Sequence, residues 1–338
     1  MHSVTRRFFR VIQAVVLTVL AAQVLAASQG ADAKRVLSEL RAALGGEDKV
    51  AAVKTLAVQG QSSRVGPDGS TSTASDFEWN IELPTKFVKR EMFANLGGQK
   101  LYRRVGFNGA NVIEENDMPS GMTGGGGHMV VRSMGPGMAG PGGTATPEQV
   151  AAQKAQTLTV ARRDFVRLML GMLGASSEAL PVEFTYAGQA EAPDGKADVL
   201  EVRGADGFVA KFFVDGKTRL PLMLSWMDKE PLRMTMGPGG GTMSAGNVQV
   251  FSGSGAAARS PEDVARMQQE MADRMKEAEA KRRIVEYRMF YSDYKPFNGV
   301  KMPTKIQRMT DGLPTEELSL ENIKVNSRID AAKFQAGK

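Results

Sequence analysis

The first regular pattern considered along the chain is a set of apolar residues at helical spacing. Between residues 33 and 44 they share one face of a helix, at Val36, Leu37, Leu40 and Leu44. Gly45 and Gly46 follow, and glycine is the usual residue just past a helix end. The pattern therefore predicts an amphipathic helix that ends at Leu44, and the next short segment, EDKVAAVKTL, is amphipathic as well.

From Leu56 onward the spacing changes to alternation, which is typical of strands with one buried face. Two strands show a one-sided apolar face most clearly. Its positions are Phe77, Trp79, Ile81 and Leu83 in the first strand, and Leu220, Leu222, Leu224 and Trp226 in the second. Further alternating segments follow up to residue 325, so the chain is expected to be mainly β.

Pairs of Asn or Asp with glycine separate many of these segments. Such pairs tolerate the positive φ angles of tight hairpins. Seven occur, beginning at Asp68, Asn108, Asp194, Asp206, Asp215, Asn298 and Asp311. They predict a long antiparallel meander, and with the helices an α+β fold that is mainly antiparallel β.

Two insertions interrupt the meander, at about 116–160 and 231–283. Each is a Gly/Met/Pro-rich tract followed by a helix with a hydroxyl cap and proline at its first position, Thr146-Pro147 and Ser260-Pro261. The first helix continues into an apolar stripe at Phe165, Leu168, Met169 and Met172. The second has only a narrow seam, Met267, Met271 and Met275, and is expected to protrude.

The apolar face of such a sheet must be covered by helices, by a second sheet or by a ligand. Helices at 33–44 and 159–173 would fill the concave side. A curved, incompletely closed sheet would instead leave an apolar cavity suited to an acyl chain. The hydrophobic pattern alone does not decide between a concave side filled by helices and an apolar cavity.

Composition and charge exclude several classes. The 338 residues are 42% hydrophobic, enough for a sizeable core. The formal charge is +6, but the first 26 residues carry Arg6, Arg7 and Arg10 and no acid, which leaves about +3 for the rest. That bias is too weak to indicate nucleic-acid binding, and no basic strip studded with aromatic residues occurs.

The first 26 residues have the layout of a secretory signal peptide, with a basic start, an apolar run and small residues near Ala26. The TRRFF segment at Thr5–Phe9 also resembles a twin-arginine signal. No second apolar stretch reaches spanning length, and zero cysteines exclude a lipid anchor and disulfides. We expect one domain over 27–338, soluble and unanchored in the periplasm.

Copper binding is one alternative for the Gly/Met-rich tracts, because thioethers and imidazole are ligands of copper(I). The candidate ligands are Met118, Met122, His128, Met129, Met134 and Met138, with Met234, Met236 and Met243 in the second tract. A glycine-rich backbone loses much entropy on ordering, so flexible insertion is favoured over a metal site.

Catalysis is not expected. His128 is the only histidine left after signal cleavage, which removes most base and nucleophile pairs. The acidic pairs Glu114-Glu115 and Glu316-Glu317 are considered as glycosidase carboxylates. Neighbours in a strand face opposite sides, however, so solvated charge is favoured. No cofactor is predicted.

Two stretches carry a family resemblance. Residues 291–334 read YSDYKPFNGVKMPTKIQRMTDGLPTEELSLENIKVNSRIDAAKF, and residues 44–60 read LGGEDKVAAVKTLAVQG. Together they resemble the outer-membrane lipoprotein-sorting (LolA/LolB-like) superfamily. The resemblance implies an unclosed antiparallel half-barrel wrapped around helices, with a hydrophobic cavity for lipoprotein acyl chains. The two insertions are departures from that family, and no functional residue of the carriers is matched here.

The sequence therefore predicts a non-catalytic protein that binds a lipid or an acylated protein. The predicted cavity lining shares the inward faces of strands: Phe77, Trp79, Ile81, Leu222, Leu224, Trp226, Tyr287, Met289 and Tyr291. An alternative is a structural envelope module that binds a protein partner through its insertions.

Overall fold

The computed structural model of the protein describes residues 30–66, 68–96, 98–116, 146–192, 195–230, 233–235, 242–244 and 276–336, with Arg266, Gln269 and Asp273. The expected signal peptide, the first Gly/Met-rich tract, and the Ser260 cap with the Met267, Met271 and Met275 seam lie outside these residues.

Among the described residues, twelve strands form one open sheet in which every neighbouring pair is antiparallel. The strands are β1 Thr55–Arg64, β2 Ser75–Glu82, β3 Lys86–Leu96, β4 Gln99–Asn108, β5 Asn111–Asn116, β6 Val182–Ala192, β7 Gly195–Gly204, β8 Val209–Asp215, β9 Pro221–Lys229, β10 Arg233–Thr235, β11 Thr242–Ser244, β12 Ile284–Phe297, β13 Val300–Thr310 and β14 Leu313–Val325. The order in the sheet is β5-β4-β3-β2-β1-β14-β13-β12-β9-β8-β7-β6, so β5 and β6 are the edges. The short strands β10 and β11 pair separately.

Four α-helices occur among the described residues. They are α1 (30–44), α2 (Glu47–Ala51), α3 (Pro147–Leu173) and α4 (276–280). In the described ranges, 3₁₀ turns cover Ala205–Gly207 and Ala331–Phe334. The predicted class, a curved and unclosed α+β half-barrel that is mainly antiparallel, is confirmed.

The turn pairs act as predicted. The six pairs that the structure describes in full all lie at junctions between consecutive strands. Both residues have positive φ in the pairs beginning at Asp206, Asn298 and Asp311, as hairpins with matched twist require. The meander is confirmed, and short hairpins account for most of the sheet.

Helix α3 begins at the predicted cap. The Thr146 hydroxyl accepts from the Gln149 N–H, and the Gln149 side chain accepts from the Thr146 N–H. The helix ends at Gly174, which adopts φ 57°. Its first ten residues are mostly exposed, and its buried residues begin at Ala161. Only the second half of α3 is therefore a core element.

The core lies between the sheet's inner face and the two long helices. Val36, Leu40 and Leu44 of α1 share one apolar cluster with the second half of α3 and with the inward positions of the strands. The Phe165 ring lies 5.4 Å from Phe87 and 5.5 Å from Phe107, centroid to centroid. Over this part of the inner face, helices fill the concave side.

Candidate functional site

Along the strands, the side chains on the inner face of the sheet change from apolar to charged. In β3, buried Phe87 is followed on the same face by Lys89 and Glu91. In β13, buried Ile306 is followed by Arg308. We call the region around these charged residues the polar end of the inner face. It comprises Lys89, Glu91, Asp164, Arg167, Trp226, Tyr287, Arg308 and Glu316.

The charges of the polar end are paired. Arg167 lies 3.0 Å from Asp164, Arg308 lies 2.9 Å from Glu316, and Lys89 lies 3.4 Å from Glu91. The side chains of Asp164, Arg308 and Glu91 keep 32%, 35% and 40% of their surface accessible. Solvent therefore reaches these side chains, whereas the apolar end is covered by helices.

Both central carboxylates are held ionised. Burial raises the pKa of Asp164, but the cations Lys89, Arg167 and Arg308 more than offset it, so the pKa is lowered. The pKa of Glu91 is lowered in the same way, against burial, chiefly by Lys89 and Arg308. At neutral pH the polar end thus carries fixed positive and negative charges side by side.

Arg167 is the central side chain of this end. It is 9% exposed, and its guanidinium lies 4.1 Å from the centroid of the Trp226 ring and 5.7 Å from that of Phe208. The Tyr287 ring stacks on Trp226 at 5.6 Å with an interplanar angle of 11°. Among the described residues, the Arg167 Nε has no hydrogen-bond partner. Aromatic faces and a guanidinium together can bind a molecule that has an apolar and an anionic part.

The nine residues predicted to line the cavity fall into three groups: six in the core, two at the polar end, and Leu222 by itself. Six are buried in the core beneath the helices, at Phe77, Trp79, Ile81, Leu224, Met289 and Tyr291. Trp226 and Tyr287 are half-buried at the polar end. The structure thus brings eight of the nine onto the inner face, most of them in contact with the chain's own helices.

Leu222 does not share this face. It is 38% exposed, because the β8–β9 register shifts where Phe213 pairs with Met223 and Val214 pairs with Pro221. Leu222 is the extra residue of this bulge, and a bulge turns a side chain away from strict alternation. The expectation that Leu222, Leu224 and Trp226 all point the same way is wrong at Leu222.

Sequence reasoning missed the charged members of the polar end. A usable signal was present, because Lys89 and Glu91 have the same parity as Phe87 in β3. Charged residues at inward positions of an alternating strand indicate either an open end or a buried ion pair. Asp164 and Arg167 could be placed there only once the direction of α3 was known.

The acidic pairs considered for catalysis are split between faces, as expected. Glu114 pairs with Arg103 at 3.0 Å, and Glu115 pairs with Arg104. Glu316 pairs with Arg308 and Glu317 with Lys305, at 2.9 Å each. Neither pair presents two carboxylates to one point.

Most of the candidate copper ligands are residues that the structure does not describe. His128 and the methionines of the first tract lie outside the described residues, as does Met236. Within the described ranges, no group of three or more His, Cys, Asp or Glu side chains is arranged to hold a metal ion.

Comparison with solved structures returns chains that match most of this one. A LolA superfamily protein from Nitrosomonas europaea is 11% identical, with a TM-score of 0.44 and coverage of 90% of this chain and 97% of its own. A DUF1329 family protein from Desulfovibrio piger is 10% identical, with a TM-score of 0.43 and the same coverage of 90% and 97%. A putative outer membrane lipoprotein-sorting protein domain from Vibrio parahaemolyticus is 8% identical, with a TM-score of 0.39 over 90% and 97%.

The first and third of these structures bear the name of the superfamily that residues 291–334 resemble. No protein-family model matches the chain, and no curated protein matches it. In the part of the chain that the structure describes, no helix combines the length and apolar character needed to cross a membrane.

Proposed function

We propose that the protein is a non-catalytic periplasmic carrier that binds a hydrophobic ligand, either a lipid or the acyl chain of a lipoprotein. The observation that supports this best is the stacked pair Trp226–Tyr287 beneath the Arg167 guanidinium, half-buried at the polar end of the inner face. An aromatic wall beside a cation suits a ligand with an apolar chain and an anionic head.

The ligand is proposed to meet this pair first. The six deeper predicted residues are covered by α1 and α3, so an acyl chain can reach them only by displacing helical side chains. The Arg167 Nε–H would be available to donate to the head group, because it has no partner among the described residues, as is also true of six other arginine Nε–H groups. Periplasmic location is proposed from the signal-like first 26 residues and from the absence of cysteine in the sequence.

Binding of a palmitoylated peptide to the full chain tests this proposal. We expect saturable binding that Trp226→Ala weakens by about tenfold, since truncating a large aromatic contact removes one to several kcal/mol. Met227→Ala is the matched control, because Met227 is the next residue of β9 and is exposed on the opposite face.

Two results would count against a carrier. One is protein purified from the periplasm that repeatedly yields no lipid or acylated peptide on extraction and mass spectrometry, and that binds no palmitoylated peptide. The other is equal binding by the Trp226→Ala and Met227→Ala variants, which would place the ligand away from the stacked pair.

A second candidate function, a structural module that binds an envelope protein, is favoured by one surface feature. Met227, near the C-terminal end of β9, and Ile284, at the start of β12, are exposed as neighbours on the outer face at one end of the sheet. The insertion at 231–283 leaves and rejoins the sheet beside them. A chain lacking 231–283 would lose partner binding under this candidate, and would keep palmitoylated-peptide binding under the first.

A further inference from the structure

The C-terminal segment, residues 327–336, crosses the outer face of the sheet. Phe334 is buried against Val88 and Ile113 in a small cluster separate from the main core. Arg104 donates through Nη2 to the Lys333 carbonyl at 2.8 Å, and Asn108 donates to the Phe334 carbonyl at 3.2 Å. The segment is therefore fixed over strands β2 to β5.

Strand register places two arginines side by side under this segment. Glu78 of β2 pairs with Arg90 of β3, Arg90 pairs with Arg104 of β4, and Arg104 pairs with Glu115 of β5. Directly opposed residues on one face have their side chains within reach of each other. Lys333 of the C-terminal segment adds a third cation and is ion-paired with Glu78.

A hollow of about 340 Å³ lies among these side chains. It is lined by Glu78, Asn80, Val88, Arg90, Arg104, Ala332 and Lys333. Asn80 is only 4% exposed, and it also lines a neighbouring hollow of about 240 Å³ on the other side of Lys333. The hollow thus has a buried amide and three cations in its lining, with the carboxylate of Glu78 among them and that of Glu115 paired with Arg104 beside it.

The three cations are held in place by neighbouring groups, and they outnumber the two carboxylates beside them, Glu78 and Glu115. The Arg90 guanidinium lies 3.4 Å from the centroid of the Tyr102 ring. Arg104 is fixed by Glu115 and by the two C-terminal carbonyls of Lys333 and Gln335. Burial raises the pKa of Glu78, yet Lys333, Asn80 and Arg90 outweigh it and the pKa is lowered.

We propose that this hollow, between Arg90, Arg104 and Lys333 on the outer face, binds a phosphate-type oxyanion. The anion is either a free phosphate group or the head group of an anionic phospholipid, since both present the same oxygens to the cations. The site lies on the face of the sheet opposite the polar end. Anion binding there is therefore tested independently of acyl-chain binding.

The test is calorimetric titration of the full chain with inorganic phosphate. We expect saturable binding, weakened about tenfold by Arg90→Gln or Lys333→Gln, which each remove one charge-assisted contact. Arg203→Gln is the control, because Arg203 is an exposed arginine on β7 paired with Glu201, and its loss changes net charge equally. Hydrogen-exchange mass spectrometry of residues 327–336 in each variant checks that the C-terminal segment remains docked.

A second arm separates the two sources of the anion. Vesicles of phosphatidylcholine are compared with vesicles of phosphatidylcholine and phosphatidylglycerol. Preferential binding to the anionic vesicles that Arg90→Gln abolishes supports a lipid head group, and phosphate binding without a vesicle preference supports a free anion. Absence of both, or an equal loss in Arg203→Gln, overturns the site.

Discussion

At the scale of single residues, one glycine sets how closely α3 approaches the sheet. A Cβ at Gly171 would lie 2.0 Å from Cε1 of Tyr291, far inside van der Waals contact. The Tyr291 hydroxyl donates to the Arg167 carbonyl at 2.9 Å, so the ring is tied to the same helix. Burial raises the pKa of Tyr291, and it remains a neutral donor.

Gly171→Ala should therefore destabilise the protein although alanine is the better helix former. Relief of the overlap requires the helix or the ring to move, which costs about 2 kcal/mol, against a helix-propensity gain of about 1 kcal/mol. Urea unfolding followed by circular dichroism measures the difference. Gln156→Ala, on the exposed half of α3, should leave stability within about 0.5 kcal/mol of the parent; an equally stable Gly171→Ala variant would contradict this packing.

Individual residues also show how much of the candidate site could be predicted from the sequence. The parity that places Tyr287, Met289 and Tyr291 on one face follows from strand alternation alone, and the structure shows it. The exposure of Leu222 comes from a bulge in the pairing with β8, which alternation along one strand does not encode. The contact of Arg167 with Trp226 joins residues from α3 and β9 and depends on how α3 is seated.

At the scale of elements, α3 combines two halves with different roles. The first half is capped but mostly exposed, and the second is buried against the sheet. Hydroxyl caps followed by proline are local signals, so the start of α3 was predictable from the sequence. The continuity of the two halves as one helix fits the absence of proline between Gln149 and Leu173 and of glycine before Gly171.

Thr146→Ala should loosen the first half of α3 without changing the core. Loss of the cap costs about 1 kcal/mol of local helix stability, so amides of residues 148–156 should exchange several-fold faster in hydrogen-exchange mass spectrometry. Global unfolding should stay unchanged, because those residues contribute little to the core. Thr146→Asp keeps an acceptor oxygen and should restore slow exchange; fast exchange in both variants would show that the cap is not what holds this half.

At the scale of the whole molecule, the meander was predictable because its signals are local. Alternation and Asx-Gly pairs specify each hairpin without reference to the rest of the chain. The pairing of β1 with β14 joins residues more than 250 positions apart, such as Gln59 with Asn322, and no local signal encodes it. That the helices fill the apolar end, a choice the pattern left open, is likewise a property of the assembled molecule.

Acid should weaken the whole molecule, with Asp198 as a main contributor. Asp198 is buried and accepts hydrogen bonds from Tyr186, Gln189 and Arg219. Arg219 also pairs with Glu39 of α1, so the cluster fastens α1 to the sheet. Burial raises the pKa of Asp198, but these donors outweigh it and the pKa is lowered.

A lowered pKa means that stability from Asp198 is present above the unfolded-state pKa of about 3.9 and is lost as pH falls through the folded-state value. Asp198→Asn should therefore be less stable at pH 7, by about 2 kcal/mol, and should lose less on going from pH 5 to pH 2. Denaturant midpoints across that range measure both. Asp311→Asn, an exposed hairpin aspartate at positive φ, should follow the parent curve; parallel curves for parent and Asp198→Asn would refute the assignment.

The central position of β1 and β14 has a consequence for how the molecule is made. Its first and last strands are partners, so the middle of the sheet stays divided into two half-sheets until the final hairpin has emerged. During that interval β1 and β13 present unpaired backbone, the kind of edge to which other chains add. Assembly of this protein is thus vulnerable to edge pairing with other chains until β14, Leu313–Val325, has been synthesised.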